Sequence, residues 1–163
     1  MLPPVELVAA CIPGGEGSPA PQAGEVVVFP EHFACGFGLP ASDFFFGFLE
    51  HFDMQLHHLE ANTVLQLAAY VTLCEGFLGI EPRLDLWRRL FFFKQQSVPD
   101  GTAGSKRMTD CGAALIHHRT ASGFPKLPLQ DSVKKWQKGF FYVNNVDPKN
   151  DCINLLPFAI TPR

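Results

Sequence analysis

The sequence predicts an α+β fold, with a mainly helical core and a small antiparallel sheet in the C-terminal third. Apolar residues recur at helical spacing through the middle of the chain, and segments of alternating polarity follow in the last third. The 163 residues, of which 47% are hydrophobic and 18% charged, suit one globular domain. We therefore expect a single domain over residues 25–158, preceded by a flexible segment, 1–24, and followed by a tail, 159–163.

The N-terminal 24 residues are rich in proline, glycine and alanine, which leaves few side chains to bury. The β-branched run at residues 25–29 predicts a short strand. Further along, Ser42 is suited to cap a helix over residues 44–52, because its hydroxyl can accept a hydrogen bond from an early backbone N–H. Ordered structure is thus expected to begin at Glu25.

The longest predicted helix covers residues 63–78, with Asn62 as its N-cap and Gly79 at its end. Apolar residues lie on almost every side of this helix, so we expect it at the centre of the core. Pro82 occupies the favoured first position of the next helix, and apolar residues follow at steps of three and four as far as Phe93. These two helices are expected to form most of the core.

The chain then changes from helical spacing to alternation. Residues 95–110 are rich in Ser, Gly and Asp, and their composition predicts a loop. Residues 112–119 and 139–143 predict two strands. Ser132 is placed to cap a short helix between them. The small sheet is therefore expected to form from these late strands.

Charge is divided along the chain more sharply than the net charge of −3 suggests. Residues 1–82 carry ten acidic side chains and no Lys or Arg, while residues 83–138 carry eleven Lys or Arg and four Asp. Residues 139–163 have no net charge. Such a division predicts complementary acidic and basic surfaces, which can direct association with another polypeptide or with a second copy.

The basic segment is the candidate interaction surface, because its cations are interleaved with aromatic side chains. Three interpretations fit it: a solvated face of ordinary helices, a docking surface for an acidic protein segment, and a surface that follows a nucleic-acid backbone. The candidate residues are Arg83, Trp87, Arg88, Arg89, Lys94, Lys106, Arg107, Lys134, Lys135 and Trp136.

No catalytic or metal-binding motif is complete, so we predict that the chain is not an enzyme and needs no cofactor. Five cysteines are widely spaced and lack the short spacing of a zinc or redox motif. His57-His58 and His117-His118 are adjacent pairs, and neighbouring side chains on an extended strand point to opposite faces. We therefore predict no metal site, and no small-molecule substrate is identified.

The sequence predicts neither a secretory leader nor a membrane span. Residues 1–12 lack a basic region and contain two early prolines. The most apolar stretch, residues 64–73, is shorter than the roughly 18 residues that a spanning helix needs. We expect an intracellular protein, in the nucleus or the cytoplasm.

Three segments together resemble the plant gypsy-type transposon domain, also labelled a transposase. The resemblance lies in Gly24–Phe29 with His32-Phe33 and Gly36–Pro40, in Leu73–Ile80 with Pro82 and Leu86-Trp87, and in Trp136 with Phe140–Val143. It covers roughly residues 12–158, and the central segment is the most specific part. The resemblance implies a polypeptide derived from a retrotransposon and brings no catalytic residue to any position here.

Two functions follow as hypotheses from the resemblance and the composition. The first is a non-catalytic structural or interaction domain, gag-like in position, that self-associates. The alternative is a nucleic-acid-binding module that uses the basic segment 83–138. Nothing in the sequence could hold the paired metal ions that strand transfer requires, so the transposase label indicates origin and not chemistry.

Overall fold

The computed structural model describes residues 8–11, 19–22, 24–95, 97–99, 106–108, 112, 114–120, 123–127, 129 and 139–145. Four α-helices are present within these ranges: α1 (Pro30–Ala34), α2 (Asp43–His51), α3 (Ala61–Thr72) and α4 (Leu84–Leu90). Seven strands accompany them: β1 (Val8–Cys11), β2 (Glu25–Val28), β3 (Phe91–Gln95), β4 (Ser97–Pro99), β5 (Lys106–Met108), β6 (Ala114–His118) and β7 (Phe141–Asn145). The predicted α+β class with a mainly helical core is confirmed.

The sheets draw strands from the whole chain, so their predicted location is only partly right. In the three-stranded sheet β7 lies between β1 and β2 and is antiparallel to both. Two further antiparallel pairs join β3 to β6 and β4 to β5. Strands β6 and β7 match the predicted late strands, but their partners come from earlier in the chain because strand pairing is decided by tertiary contacts.

Residues 1–24 were expected to be flexible, yet β1 forms within them. Val8 pairs with Asn145 and Cys11 pairs with Tyr142, so β7 supplies the hydrogen-bonding partners of this strand. The composition of the segment cannot indicate a partner more than 130 residues away in the chain. Strand β2, by contrast, begins at Glu25 as predicted.

Strand β2 is covered on both faces because its side chains alternate between two clusters. Val26 and Val28 belong to the main core together with Val143 of β7. Val27 faces the other way and packs in a smaller cluster with Phe29, Phe140 and Tyr142. This arrangement fastens the C-terminal strand to the beginning of the helical layer.

Local capping signals at α2 are confirmed, whereas those at α3 are not. The Ser42 hydroxyl accepts a hydrogen bond from Phe45 N at 3.3 Å, as the sequence predicts. Helix α3 begins at Ala61 and its N-cap is Glu60, not Asn62. The hydroxyl of Thr63 in the first turn donates at 2.8 Å to the carbonyl of Ala114 in β6, so contact with the sheet anchors this end of the helix.

The predicted central helix over residues 63–78 is two different structures. The α-helix ends at Thr72 and continues as a wider π-helical turn, Leu73–Leu78. Gly79 closes it with φ of 63°, a left-handed conformation that glycine adopts without steric cost, so the predicted end is correct. The expected position at the centre of the core is right for one face of α3, where five of the twelve residues are buried. It is wrong for the turn, where Cys74 is the one buried residue of six.

Helix α4 is shorter than expected at both ends. It begins at Leu84 and not at Pro82, and it stops at Leu90 where the chain extends into β3. Residues 95–110 were expected to be a loop, but β4 and β5 pair within them. The short helix predicted at Ser132 lies outside the described residues.

The main core is an aromatic cluster between α2, α3, α4 and β3. Trp87 packs edge-on against Phe48, with ring centroids 5.0 Å apart, and stacks on Phe91 at 5.6 Å. Tyr70 joins from α3, edge-on to Phe91 at 6.2 Å. Each of these side chains is at most 1% exposed. Because large aromatic side chains bury extensive area, this cluster fixes α4 and β3 relative to α3.

Candidate functional site

The predicted basic surface is partly assembled on α4 and β3. Arg88, Arg89 and Lys94 are exposed, and within the described residues none of the three makes an ion pair. Arg83 is also exposed, but its guanidinium lies 3.2 Å from the carboxylate of Asp85. Three of the predicted cations are therefore available to a ligand, while Arg83 already has a counter-charge.

Trp87 does not belong to this surface. Its side chain is only 1% exposed and is enclosed by the aromatic core, so its indole cannot stack on a ligand. A tryptophan on a short amphipathic helix fits a core position as well as a surface one, and the sequence alone does not distinguish them.

The remaining predicted residues are only partly described. The backbone of Lys106 and Arg107 lies in β5, paired with Pro99 and Val98 of β4. Lys134, Lys135 and Trp136 lie outside the described residues. Their assignment to an interaction surface stays a prediction.

The structure adds an aromatic pair that sequence reasoning missed. Phe92 of β3 lies directly opposite His117 of β6, and both side chains are exposed. Their rings are nearly parallel, at an interplanar angle of 20° with centroids 5.4 Å apart. On the opposite face of the same strands, Phe91 and Ile116 are buried in the core. Alternation along the strand thus makes Phe92 and Lys94 neighbours on the outer face.

Arg119 connects this pair to the end of α4. Its Nε donates to the carbonyl of Arg88 at 2.8 Å and to that of Phe91 at 3.0 Å. The guanidinium carbon lies 5.9 Å from the centroid of the Phe92 ring, a cation–π contact. These bonds fix the side chain, while its two terminal NH₂ groups make no hydrogen bond with other described residues.

We call this surface the β3–β6 face. It consists of the planar groups Phe92, His117 and Arg119 and the cations Arg88, Arg89 and Lys94. The signal that could have revealed it is the run Phe91-Phe92-Phe93-Lys94, which fits a strand with Phe92 and Lys94 outside as well as it fits a helix.

A second exposed feature is apolar and lies on the π-helical turn. Phe77 is 78% exposed, Leu78 57% and Ile80 43%, and we call these three residues the Phe77 ridge. The predicted helix would have buried the first two of them in the core. The ridge is flanked in sequence by Glu75 and Glu81, both of which are exposed.

An open apolar groove of about 490 Å³ adjoins the ridge. Leu65 of α3, Leu73 and Phe77 line it together with Phe124 and Leu127, which follow β6 in the chain. Phe77 therefore belongs to both the ridge and the groove. Apolar surface exposed in this way on a protein commonly marks a site of contact with another macromolecule.

Three histidines gather in the interior, where the sequence suggested no association. His57 and His58 lie in a 3-10 helical turn, Leu56–His58, and their ring centroids are 4.0 Å apart. The sequence argument assumed an extended strand for such pairs, but His57 and His58 are not extended. His32 of α1 is nearby, and its Nε2 is 3.1 Å from the carbonyl oxygen of Leu59.

Burial favours the neutral forms of His32 and His57 by lowering the pKa of each. Desolvation lowers the pKa of His32 to about 4, against a smaller opposing effect of the Leu59 carbonyl. Desolvation, with smaller contributions from His58 and His32, lowers the pKa of His57 to about 3. Within the described residues, no three His, Cys, Asp or Glu side chains are grouped so that they could hold a metal ion.

In the part of the chain that the structure describes, no helix combines the length and the apolar character needed to cross a membrane. Cys74 is buried in the main core.

A family model matches the part of the chain that contains helices α1 to α4. Residues 26–95 match the family model Transposase_28, described as "Putative gypsy type transposon". Over these 70 residues the chain is similar to that family. The resemblance predicted from the sequence is confirmed for residues 26–95, and beyond them it stays a prediction. No curated protein and no solved structure matches the chain.

The matched segment contains the Phe77 ridge and part of the β3–β6 face. Phe92 and Lys94 lie within it, whereas His117 and Arg119 come from beyond its end. The family description states an origin in a transposable element and assigns no role to either surface.

Proposed function

We propose that this chain is a non-catalytic, retrotransposon-derived interaction domain, gag-like in position, that self-associates through the Phe77 ridge and the adjoining groove. The observation that carries the proposal is the exposure of Phe77, at 78%, beside an apolar groove of about 490 Å³. An exposed phenylalanine next to an open apolar groove is suited to be buried by a partner.

The size of the surface favours a contact that uses the ridge and the groove together. A stable interface buries about 800 Å² on each partner, whereas one aromatic side chain buries at most about 250 Å². The three ridge residues alone therefore provide too little area. The groove, lined by Leu65, Leu73, Phe124 and Leu127, supplies further apolar surface at the same place.

A second copy is the occupant that the proposal commits to, because the ridge and the groove share Phe77. Two molecules related by a two-fold axis can each insert the ridge into the groove of the other, so that one patch serves both partners.

The distribution of charge supports this pairing of ridge with groove. Two ridges placed face to face would bring Glu75 and Glu81 of both copies together, and like charges repel. Phe124, Pro125 and Leu127 line the groove, and Lys126 between the last two is exposed. Placing the ridge in the groove thus brings acidic and basic residues closer.

Sedimentation velocity over a range of protein and salt concentrations tests the proposal. We expect reversible association that is weakened strongly by Phe77→Thr, with a smaller effect of raised ionic strength because exposed charges are screened within about 8–10 Å. Phe92→Thr is the matched control, since it removes another exposed aromatic ring elsewhere on the chain. A monomer under all conditions, or equal association of both variants and the parent chain, would contradict the proposal.

A further inference from the structure

We propose that the β3–β6 face binds a single strand of nucleic acid, RNA or DNA, with bases stacked on its planar groups and phosphates held by its cations. This inference goes beyond self-association, because it concerns a different surface and a different class of ligand. It rests on geometry around Phe92, His117 and Arg119, and it does not require the Phe77 ridge.

The planar groups are already arranged for stacking before any ligand arrives. The centroid of the Phe92 ring lies 5.4 Å from that of His117 on the neighbouring strand. It lies 5.9 Å from the guanidinium carbon of Arg119. Pairing of β3 with β6 fixes the positions of Phe92 and His117 in the sheet. Aromatic rings and arginine guanidinium planes on a sheet are the groups on which unpaired bases stack.

The cations of the face have no counter-charge among the described residues. Arg88, Arg89, Lys94 and Arg119 are exposed, and none of these four makes an ion pair with another described residue, unlike Arg83 with Asp85. Arg88 and Arg89 lie in the last turn of α4, and the Nε of Arg119 is bonded to the backbone carbonyl of Arg88. Four cations without a counter-charge, on α4, β3 and the residue after β6, are suited to follow a phosphate backbone.

A single strand fits this face better than a duplex does. In a duplex the flat surfaces of the bases are covered by their neighbours, so Phe92 and His117 would have nothing to stack on. An acidic polypeptide could neutralise the cations, but its carboxylates would leave the exposed aromatic rings without a partner. The combination of rings and cations therefore favours an unpaired nucleic-acid strand.

Fluorescence anisotropy with labelled oligo-uridine and oligo-thymidine tests the inference, with a DNA duplex of equal length and poly-glutamate as competitors. Comparison of the two labelled strands shows whether RNA or DNA is preferred. We expect the logarithm of the association constant to fall with the logarithm of salt concentration at a slope of about −3, since four cations contribute roughly 0.7 each. Neither the duplex nor poly-glutamate should displace the strand at equal concentration of negative charge.

Variants separate the two contributions. Phe92→Thr, which keeps a β-branched residue in the strand, should weaken binding roughly tenfold through lost stacking and leave the salt slope unchanged. Arg88→Gln/Arg89→Gln should make the slope shallower by about 1.4. Arg83→Gln is the matched control for charge removal, because Arg83 is paired with Asp85, and Phe77→Thr is the control for removal of an aromatic ring.

Three results would overturn the inference. They are no binding of either strand at low salt, displacement by poly-glutamate or duplex as effective as by unlabelled strand, and equal effects of Arg83→Gln and of the Arg88/Arg89 double variant per charge removed. Circular dichroism and thermal unfolding establish that each variant is folded. If Phe92→Thr does not fold, the comparison of the arginine variants and the competitors still decides the outcome.

Discussion

The Tyr70 hydroxyl donates a 2.8 Å hydrogen bond to the backbone carbonyl of Arg83, thirteen residues further along the chain. The backbone N–H of Arg83 in turn donates to the Tyr70 hydroxyl oxygen, with the nitrogen 3.3 Å from that oxygen. Between these two residues the chain forms the π-helical turn, the Phe77 ridge and the approach to α4. A buried tyrosine therefore fixes the base of the Phe77 ridge, whose Phe77 is the most exposed large apolar side chain among the described residues.

We predict that Tyr70→Phe destabilises the fold by about 1–3 kcal/mol, because it leaves the backbone groups of Arg83 without this partner. Urea unfolding followed by circular dichroism measures the change. Since the ring itself is retained, packing against Phe91 and Phe44 is preserved. An unfolding midpoint equal to that of the parent chain would show that the hydroxyl does not stabilise the turn.

Gly36 and Gly38 offer a matched pair for testing the contact between α1 and α3. A Cβ at Gly36 would lie 2.9 Å from the Cβ of Ala68, and the residue has φ of 92°, a conformation unfavourable for alanine. Gly36→Ala should cost on the order of 1–3 kcal/mol from backbone strain, with the close contact adding to it. Gly38→Ala meets no atom within 4 Å and should change the free energy of unfolding by less than about 1 kcal/mol. Equal unfolding midpoints for the two variants would contradict this arrangement.

Leu67 tests the position of α3 in the core. Its side chain is fully buried, so Leu67→Asp places a carboxylate where no counter-charge is available, at a cost of several kcal/mol against a total stability of about 5–15 kcal/mol. We expect the variant to lose cooperative unfolding. Thr72→Asp, at an exposed position of the same helix, should cost no more than about 1 kcal/mol. A soluble Leu67→Asp variant that unfolds cooperatively is incompatible with the buried position.

The histidine cluster makes stability depend on pH. The pKa of His32 is lowered to about 4 and that of His57 to about 3, whereas an unfolded histidine has a pKa near 6.5. Below about pH 6.5 the unfolded chain gains protons that the folded chain does not bind, so stability falls as the pH decreases. The stability that depends on neutral His32 and His57 is fully present above that pH. Each unit by which a folded-state pKa is lowered corresponds to about 1.4 kcal/mol of free energy of unfolding.

Urea unfolding between pH 7 and pH 5 measures this effect above the range in which most carboxylates titrate. We expect His57→Gln to flatten the dependence, whatever its effect on absolute stability. His117→Gln is the control, because His117 is exposed on the β3–β6 face and lies outside the buried cluster. A parent chain whose free energy of unfolding is constant over this range would refute the prediction.

Two predicted helix ends, both of which depend on residues close in the chain, are correct. Ser42 caps α2 through a bond to Phe45, and Gly79 ends the π-helical turn through its own backbone conformation. The start of α3 was misplaced because the decisive bond joins Thr63 to Ala114, 51 residues away. A capping residue predicts a helix start only where no distant partner competes.

The sequence predicted three of the exposed cations of the β3–β6 face, but it did not predict the aromatic residues of that face. Arg88, Arg89 and Lys94 could be chosen from the sequence because Lys and Arg side chains are almost never buried without a counter-charge. Trp87 was chosen in place of Phe92, because the run of three phenylalanines fits helical and strand spacing equally. Pairing of β3 with β6 decides between the two, and that pairing is a tertiary property.

The position of β7 between β1 and β2 has a consequence for how the protein is made. A ribosome that adds about 5–20 residues per second needs on the order of ten seconds to proceed from Val28 to Phe141. During that interval Val26 and Val28 have no Val143 to pack against, and the backbone of β2 offers an unpaired edge. The matched segment, residues 26–95, therefore emerges as a helical layer that cannot complete its sheet. Successive nascent chains on one message are thus exposed to one another at this edge until translation reaches the C-terminal strand.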